Sequence, residues 1–108
     1  MSRVSTKKPV SDPAAPLTPE QVWGRLLAWQ ARREHSRAEL AGKLAGLGVV
    51  PDAAEPALDR LAELGLQNDD RYAEMLVRSQ LQRGKGRQAI RQALQQRGLD
   101  RDHPALAE

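Results

Sequence analysis

Cysteine is absent from the 108 residues, which excludes disulfides, thiolate nucleophiles and cysteine-liganded zinc. Phenylalanine is absent too, and two tryptophans and one tyrosine are the only aromatics. Any core is therefore aliphatic, and a base-stacking single-strand binder is disfavoured. No apolar run approaches the roughly 20 residues that span a bilayer, and the N-terminus has no secretory hydrophobic region. The expectation is a soluble, cytoplasmic protein without a membrane partner. No stretch alternates apolar and polar residues with β-branched enrichment, so the chain is expected to be all-α.

What is present is segregated charge. The formal net charge is only +3. Yet residues 1–50 sum to +4, residues 51–70 to −5, residues 71–97 to +6 and residues 98–108 to −2. Two basic stretches flanking an acidic one suit nucleic acid or a protein partner of mixed charge.

Residues 1–16, "MSRVSTKKPVSDPAAP", combine proline, small polar residues and a lysine pair without periodicity, and are expected to be a disordered tail. Helical signals then follow in series. Thr18, Pro19 and Gln21 form a capping start for a helix reaching about Arg33, with Val22, Leu26 and Trp29, and Trp23 and Leu27, marking one apolar face. Trp23 and Trp29 are six apart, which places them on different sides, one in the core and the other partly exposed. Ser36 and Glu39 have capping-box spacing for a second helix, whose core face is Leu40, Leu44 and Leu47 and which Gly48 closes. Asp52 is a candidate cap for a third helix carrying Leu58, Leu61 and Leu64, with Pro56 predicting an irregular start or a kink. Asn68-Asp69-Asp70 caps a fourth, with Tyr72, Ala73, Leu76 and Val77 inward. A fifth runs from about Gly86 to Arg97 with Ile90 and Leu94 inward, and Gly98 ends it.

The pattern repeats at an offset of 50. Arg33, Arg37, Leu44 and Gly48 align with Arg83, Arg87, Leu94 and Gly98, and Leu40 with Ile90. The implied organisation is a tandem three-helix repeat, each unit burying an open face on its neighbour. Residues 17–65 make a first unit and residues 66–108 a second, truncated in its third helix.

Three segments carry a family resemblance. "ARREHSRAELAGKL", "LAELGLQNDDRYAEMLVRSQ" and "RGKGRQAIRQALQQRGLD" resemble, in order and spacing, the signatures of the RecX regulatory proteins over roughly residues 20–100. The resemblance implies tandem three-helix repeats. It also implies a bacterial regulator that binds the RecA recombinase filament, lodges in its groove and inhibits strand exchange and filament growth during recombination, repair and the SOS response. The family pattern includes no catalytic residue, metal or cofactor. Three departures stand out. Pro56 occupies a usually aliphatic position, Gln88 and Ala93 replace the commoner arginine and glutamate, and the chain stops within a second repeat where members usually run to three.

The candidate contact residues are Arg33, Arg37, Arg78, Arg83, Lys85, Arg87 and Arg91, directed at the RecA filament or, alternatively, at the DNA phosphate backbone as a small basic DNA-binding protein would be. Arg78, Arg83, Lys85, Arg87 and Arg91 are expected to form one basic patch. Gly84-Lys85-Gly86 lacks the spacing of a phosphate loop and has no strand before it, so it reads as a turn with Gly86 as N-cap. His35 and Ser36 have no triad partner, and Asp69 and Asp70 are explained as caps. No catalysis, metal, cofactor or small-molecule substrate is expected.

Overall fold

A computed structural model of the chain describes residues 16–107. The tail expected over residues 1–16 lies outside the described residues except for Pro16. Five α-helices follow: α1 (Pro19–Arg32), α2 (Arg37–Gly46), α3 (Pro51–Glu63), α4 (Asp69–Gln82) and α5 (Arg87–Gln96). A short 3-10 helix, Pro104–Ala107, closes the described chain. There is no strand among the described residues.

The offset of 50 holds to the residue. α4 starts and ends 50 positions after α1, and α5 does the same after α2. The turns that end α2 and α5 also coincide. Gly48 has φ +83° and Gly98 φ +75°, and in both the next N–H returns to the carbonyl five residues back, Val49 to Leu44 and Leu99 to Leu94. This is the left-handed helix stop that glycine makes without steric cost.

The caps follow the local sequence. Thr18 and Gln21 close a full capping box on α1, and Ser36 and Glu39 close one on α2. Asn68 accepts the Arg71 N–H at the start of α4. α5 begins at Gly86 without a side-chain cap. α3 differs from expectation. Its N-cap is Val50, with Pro51 at the first helical position and Asp52 inside the first turn. A proline there has no missing hydrogen bond to make and outcompetes an Asp one residue later. Pro56 neither delays nor interrupts α3. It lies on the exposed side of a helix continuous over Pro51–Glu63, where loss of one donor is tolerated because water reaches the freed carbonyl.

Two separate apolar clusters form. The first unites Val22, Leu26, Leu40, Leu44, Val49, Ala54, Leu58 and Leu61. The second unites Tyr72, Ala73, Leu76, Val77, Ile90, Leu94, Leu99 and Leu106. Leu26, Leu40, Leu44, Leu61, Ile90 and Leu94 are fully buried, each worth about 1.5–3 kcal/mol of burial. Leu47 and Leu64, expected in the core, are exposed. Each is the C-cap residue, where the helical spiral has already turned away from the core, and Val49 takes the inward place beyond Gly48. Neither tryptophan is fully core. Both are half-buried against the first cluster and covered by a cation, Lys43 at 5.2 Å from the Trp29 ring and Arg60 at 4.3 Å from that of Trp23. Such pairs let a large ring sit at a boundary without exposing its face.

Contrary to the expectation that each unit buries an open face on its neighbour, the repeats do not share one apolar face. Their two clusters are joined through a polar seam.

Candidate interaction surface and the repeat seam

The seam is built from the α1–α2 turn, residues 33–37, against the start of α4 and the end of α5. Ser36, fully buried, uses its hydroxyl twice. It accepts the Glu39 N–H at 3.1 Å as a cap and donates to the Arg97 carbonyl at 2.8 Å, 61 residues away. The Arg37 N–H donates to Asp69 Oδ1 at 2.9 Å. Gln67, also buried, donates to the His35 carbonyl at 3.3 Å and to Asp69 Oδ1 at 2.8 Å. Gln30 Nε2 donates to the Leu66 carbonyl at 2.6 Å. Glu34 receives Arg71 through two guanidinium nitrogens at 2.8 and 3.2 Å. Within the second repeat, Arg97 Nε donates to the Tyr72 hydroxyl at 3.2 Å. Gly98 also packs against Ala38 so closely that a methyl on Gly98 would overlap the Ala38 Cβ.

Protonation is set by this enclosure. His35 is 3% exposed. Its Nδ1 lies 2.9 Å from the Arg33 carbonyl, which can only accept, so Nδ1 carries the proton of the neutral ring. Burial, reinforced by the positive charge of Arg33, holds the imidazole below its ordinary value. Glu39 is also held low. Burial opposes this, but the Ser36 N–H, the Arg33 guanidinium and the Tyr72 hydroxyl outweigh it. The unfolded chain therefore binds more protons than the folded one just below the ordinary values of both groups. Their stabilisation is fully present above pH 6.5 for His35 and above pH 4.5 for Glu39. It is lost as pH falls from each value toward the folded one. Urea melts should show stability falling between neutral pH and pH 5.5, and His35→Gln should flatten that slope. An unchanged slope in the variant would assign the pH dependence elsewhere.

Contacts within each repeat consume part of the predicted contact set. Arg33 bonds the Glu34 carbonyl at 2.8 Å and pairs with Glu39 at 3.4 Å. Arg37 bridges Glu55 and Asp59 on α3, the latter at 2.8 Å. In the second repeat Arg87 donates to the Leu106 carbonyl at 3.1 Å, and Arg91 pairs with Asp102 at 3.0 Å. These four fasten the fold. Arg78, Arg83 and Lys85 are exposed, and among the described residues none of the three makes a salt bridge. Of the five residues expected in one basic patch, these three make no ion pair, while Arg87 and Arg91 are tied to the C-terminal segment by their own partners. From Met75 to Leu99 no acidic residue occurs. Sequence reasoning missed Gln30 and Gln67, which hold the seam. Gln67, just ahead of the Asn-Asp-Asp cap, shows no helical periodicity to single it out.

Clefts flank each repeat. One of about 450 Å3 lies between α1 and α3, lined by Leu17, Val22, Trp23, Pro56 and Arg60. Another of about 550 Å3 lies beside α4, lined by Arg78, Leu81, Gln82, His103 and Pro104. Among the described residues no group of three or more His, Asp or Glu converges as a metal site would require. No described helix is long and apolar enough to cross a membrane.

Fold and seam together define a tandem three-helix repeat protein whose units are locked by polar contacts. Two family descriptions match in the order of these units. "RecX, first three-helix domain" covers residues 31–61 and "RecX, second three-helix domain" covers residues 68–103. The chain belongs to the RecX family. The regulatory protein RecX of Halorhodospira halophila is 49% identical over 80 residues, covering 74% of this chain and 50% of that protein. That of Pseudomonas entomophila is 48% identical over 84 residues, covering 78% and 54%. A solved structure described as "Crystal structure of regulatory protein RecX" superposes with a TM-score of 0.76 at 26% identity, over 82% of this chain and 46% of that one. The chain thus spans about half the length of the curated relatives it matches.

Proposed function

We propose that this chain is a non-catalytic regulator that binds the RecA recombinase filament and inhibits its activity in recombination and repair, in the cytoplasm. The observation that carries the reading is the match to both three-helix domains of the RecX family in the right order. The regulatory name of the relatives supports a protein partner. The locked seam supports the mechanism, because two repeats held in one orientation occupy a groove as a single body and obstruct it by bulk. No bond is made or broken, so no nucleophile, metal or cofactor enters.

The test is co-sedimentation with preformed RecA nucleoprotein filaments, followed by filament-dependent ATP hydrolysis. Saturable co-sedimentation and slowed hydrolysis are the expected results. Failure of the folded chain to bind filaments at micromolar concentration overturns the reading.

A further inference from the structure

The two repeats share a backbone but have opposite electrostatic fates at equivalent turns. In the first, residues 33–37 bring cations together with their partners: Arg33 with Glu39, Arg37 with Glu55 and Asp59. The same turn in the second repeat, residues 83–87, replaces Glu34 by Gly84, His35 by Lys85 and Ser36 by Gly86, and Ala89 stands in place of Glu39. Every change removes an acid or an internal partner, or adds a cation. The whole turn is exposed, and so is Arg78 on the preceding helix. The two helices that flank it also carry Gln82, Gln88, Gln92, Gln95 and Gln96, all exposed, long neutral donors that reach oxygen without bringing negative charge.

We infer that the α4–α5 hairpin is a nucleic-acid contact surface, in which Arg78, Arg83 and Lys85 hold the sugar–phosphate backbone of duplex DNA without reading its bases. Exposed cations that make no ion pair, in a stretch without acids from Met75 to Leu99 although Glu74 lines the same cleft as Arg78, are the arrangement that gains from releasing counterions condensed on a polyanion. Duplex is favoured over single strand for two reasons. Its charge density along the axis is about twice as high. The hairpin also has no exposed aromatic ring on which an unpaired base would stack, because Tyr72, its one aromatic, is buried and bonded to Arg97. Arg87 and Arg91 add to the local field while their guanidinium groups remain on Leu106 and Asp102. This goes beyond the filament reading and does not rest on it, since naked DNA is the ligand.

Fluorescence anisotropy with a labelled 20-base-pair duplex and the matching single strand, in the absence of any recombinase, tests it across 50–200 mM salt. Three phosphate contacts give a log–log salt slope of about −2.7, or roughly a 40-fold loss of affinity over that range. The triple variant Arg78→Gln, Arg83→Gln, Lys85→Gln should lose most of that slope, while Arg78→Lys with Arg83→Lys should keep it. Arg25→Gln with Arg32→Gln, which removes two exposed cations of the first repeat, should change affinity less than about twofold. Circular dichroism verifies that all variants fold. Equal losses from the two sets overturn the assignment, because net charge alone would then drive binding. Tighter binding to single strands overturns it as well. So does a triple variant that binds naked duplex normally but fails on filaments, because the hairpin would then be a contact for an acidic protein surface.

Discussion

Gly98→Ala is expected to destabilise the chain by about 2–5 kcal/mol, whereas Gly48→Ala, 50 residues earlier, should cost only about 1–2 kcal/mol. Both glycines have positive φ, +75° and +83°, so both substitutions incur the strain of a left-handed alanine. They differ in surroundings. A Cβ on Gly48 meets open space, whereas one on Gly98 runs into Ala38. Relief requires the end of α5 to retreat from α2, which stretches the Ser36–Arg97 bond in the same seam. Urea denaturation of the two single variants measures the difference. Equal costs would mean that the close approach of the repeats contributes nothing. Adding Ala38→Gly to Gly98→Ala should restore about 1–3 kcal/mol, net of the cost of a glycine in α2.

The second large effect concerns cooperativity. Because the apolar clusters are separate, a core truncation acts first on its own repeat. Leu94→Ala removes a fully buried side chain from the second repeat and should cost about 2–5 kcal/mol there. The natural fluorophores make the result legible. Trp23 and Trp29 both lie in the first repeat, and the second contains only Tyr72. In the variant, far-ultraviolet circular dichroism should lose helix at lower urea than tryptophan emission reports, in two separated transitions. Leu44→Ala, the equivalent change, should bring the tryptophan transition down. Coincident transitions in the Leu94→Ala variant would show that the polar seam couples the repeats as tightly as a shared core does.

Much of this architecture is legible in the sequence because its signals are local. A cap and its partner three residues on, as in Thr18 with Gln21 or Ser36 with Glu39, need no knowledge of the rest of the chain. The same is true of the glycine stops and of the offset of 50. The seam is not legible in this way. That Ser36 bonds Arg97, or that Gln67 reaches His35, depends on how residues 61 and 32 apart are brought together. Helical spacing also overextends at termini, which is why Leu47 and Leu64 read as core and are exposed. Charge misleads for a related reason. Arg33 and Arg37 stand out as cations in the one-dimensional chain, and only the fold shows that Glu39, Glu55 and Asp59 already neutralise them. The "REHSR" segment, central to the family resemblance, is thus the fastening of one repeat to the next.

That fastening also governs whether copies of the chain can stack. A tandem repeat invites open-ended polymerisation, because the trailing edge of one molecule has the backbone shape of the edge that receives the second repeat internally. Among the described residues the lock is formed once. A second molecule approaching residues 83–87 in the same geometry would meet Gly86 where Ser36 donates. It would bring Leu17 in place of Gln67, Pro19 in place of Asp69 and Gln21 in place of Arg71. Its Gly48 would press on Gln88 where Gly98 presses on Ala38. Of the hydrogen bonds that make the internal joint, that of Gln30 keeps a like residue at the external one, Gln80, while those of Ser36, Gln67, Asp69 and Arg71 lose theirs, so the fold is periodic in shape and largely aperiodic in adhesion.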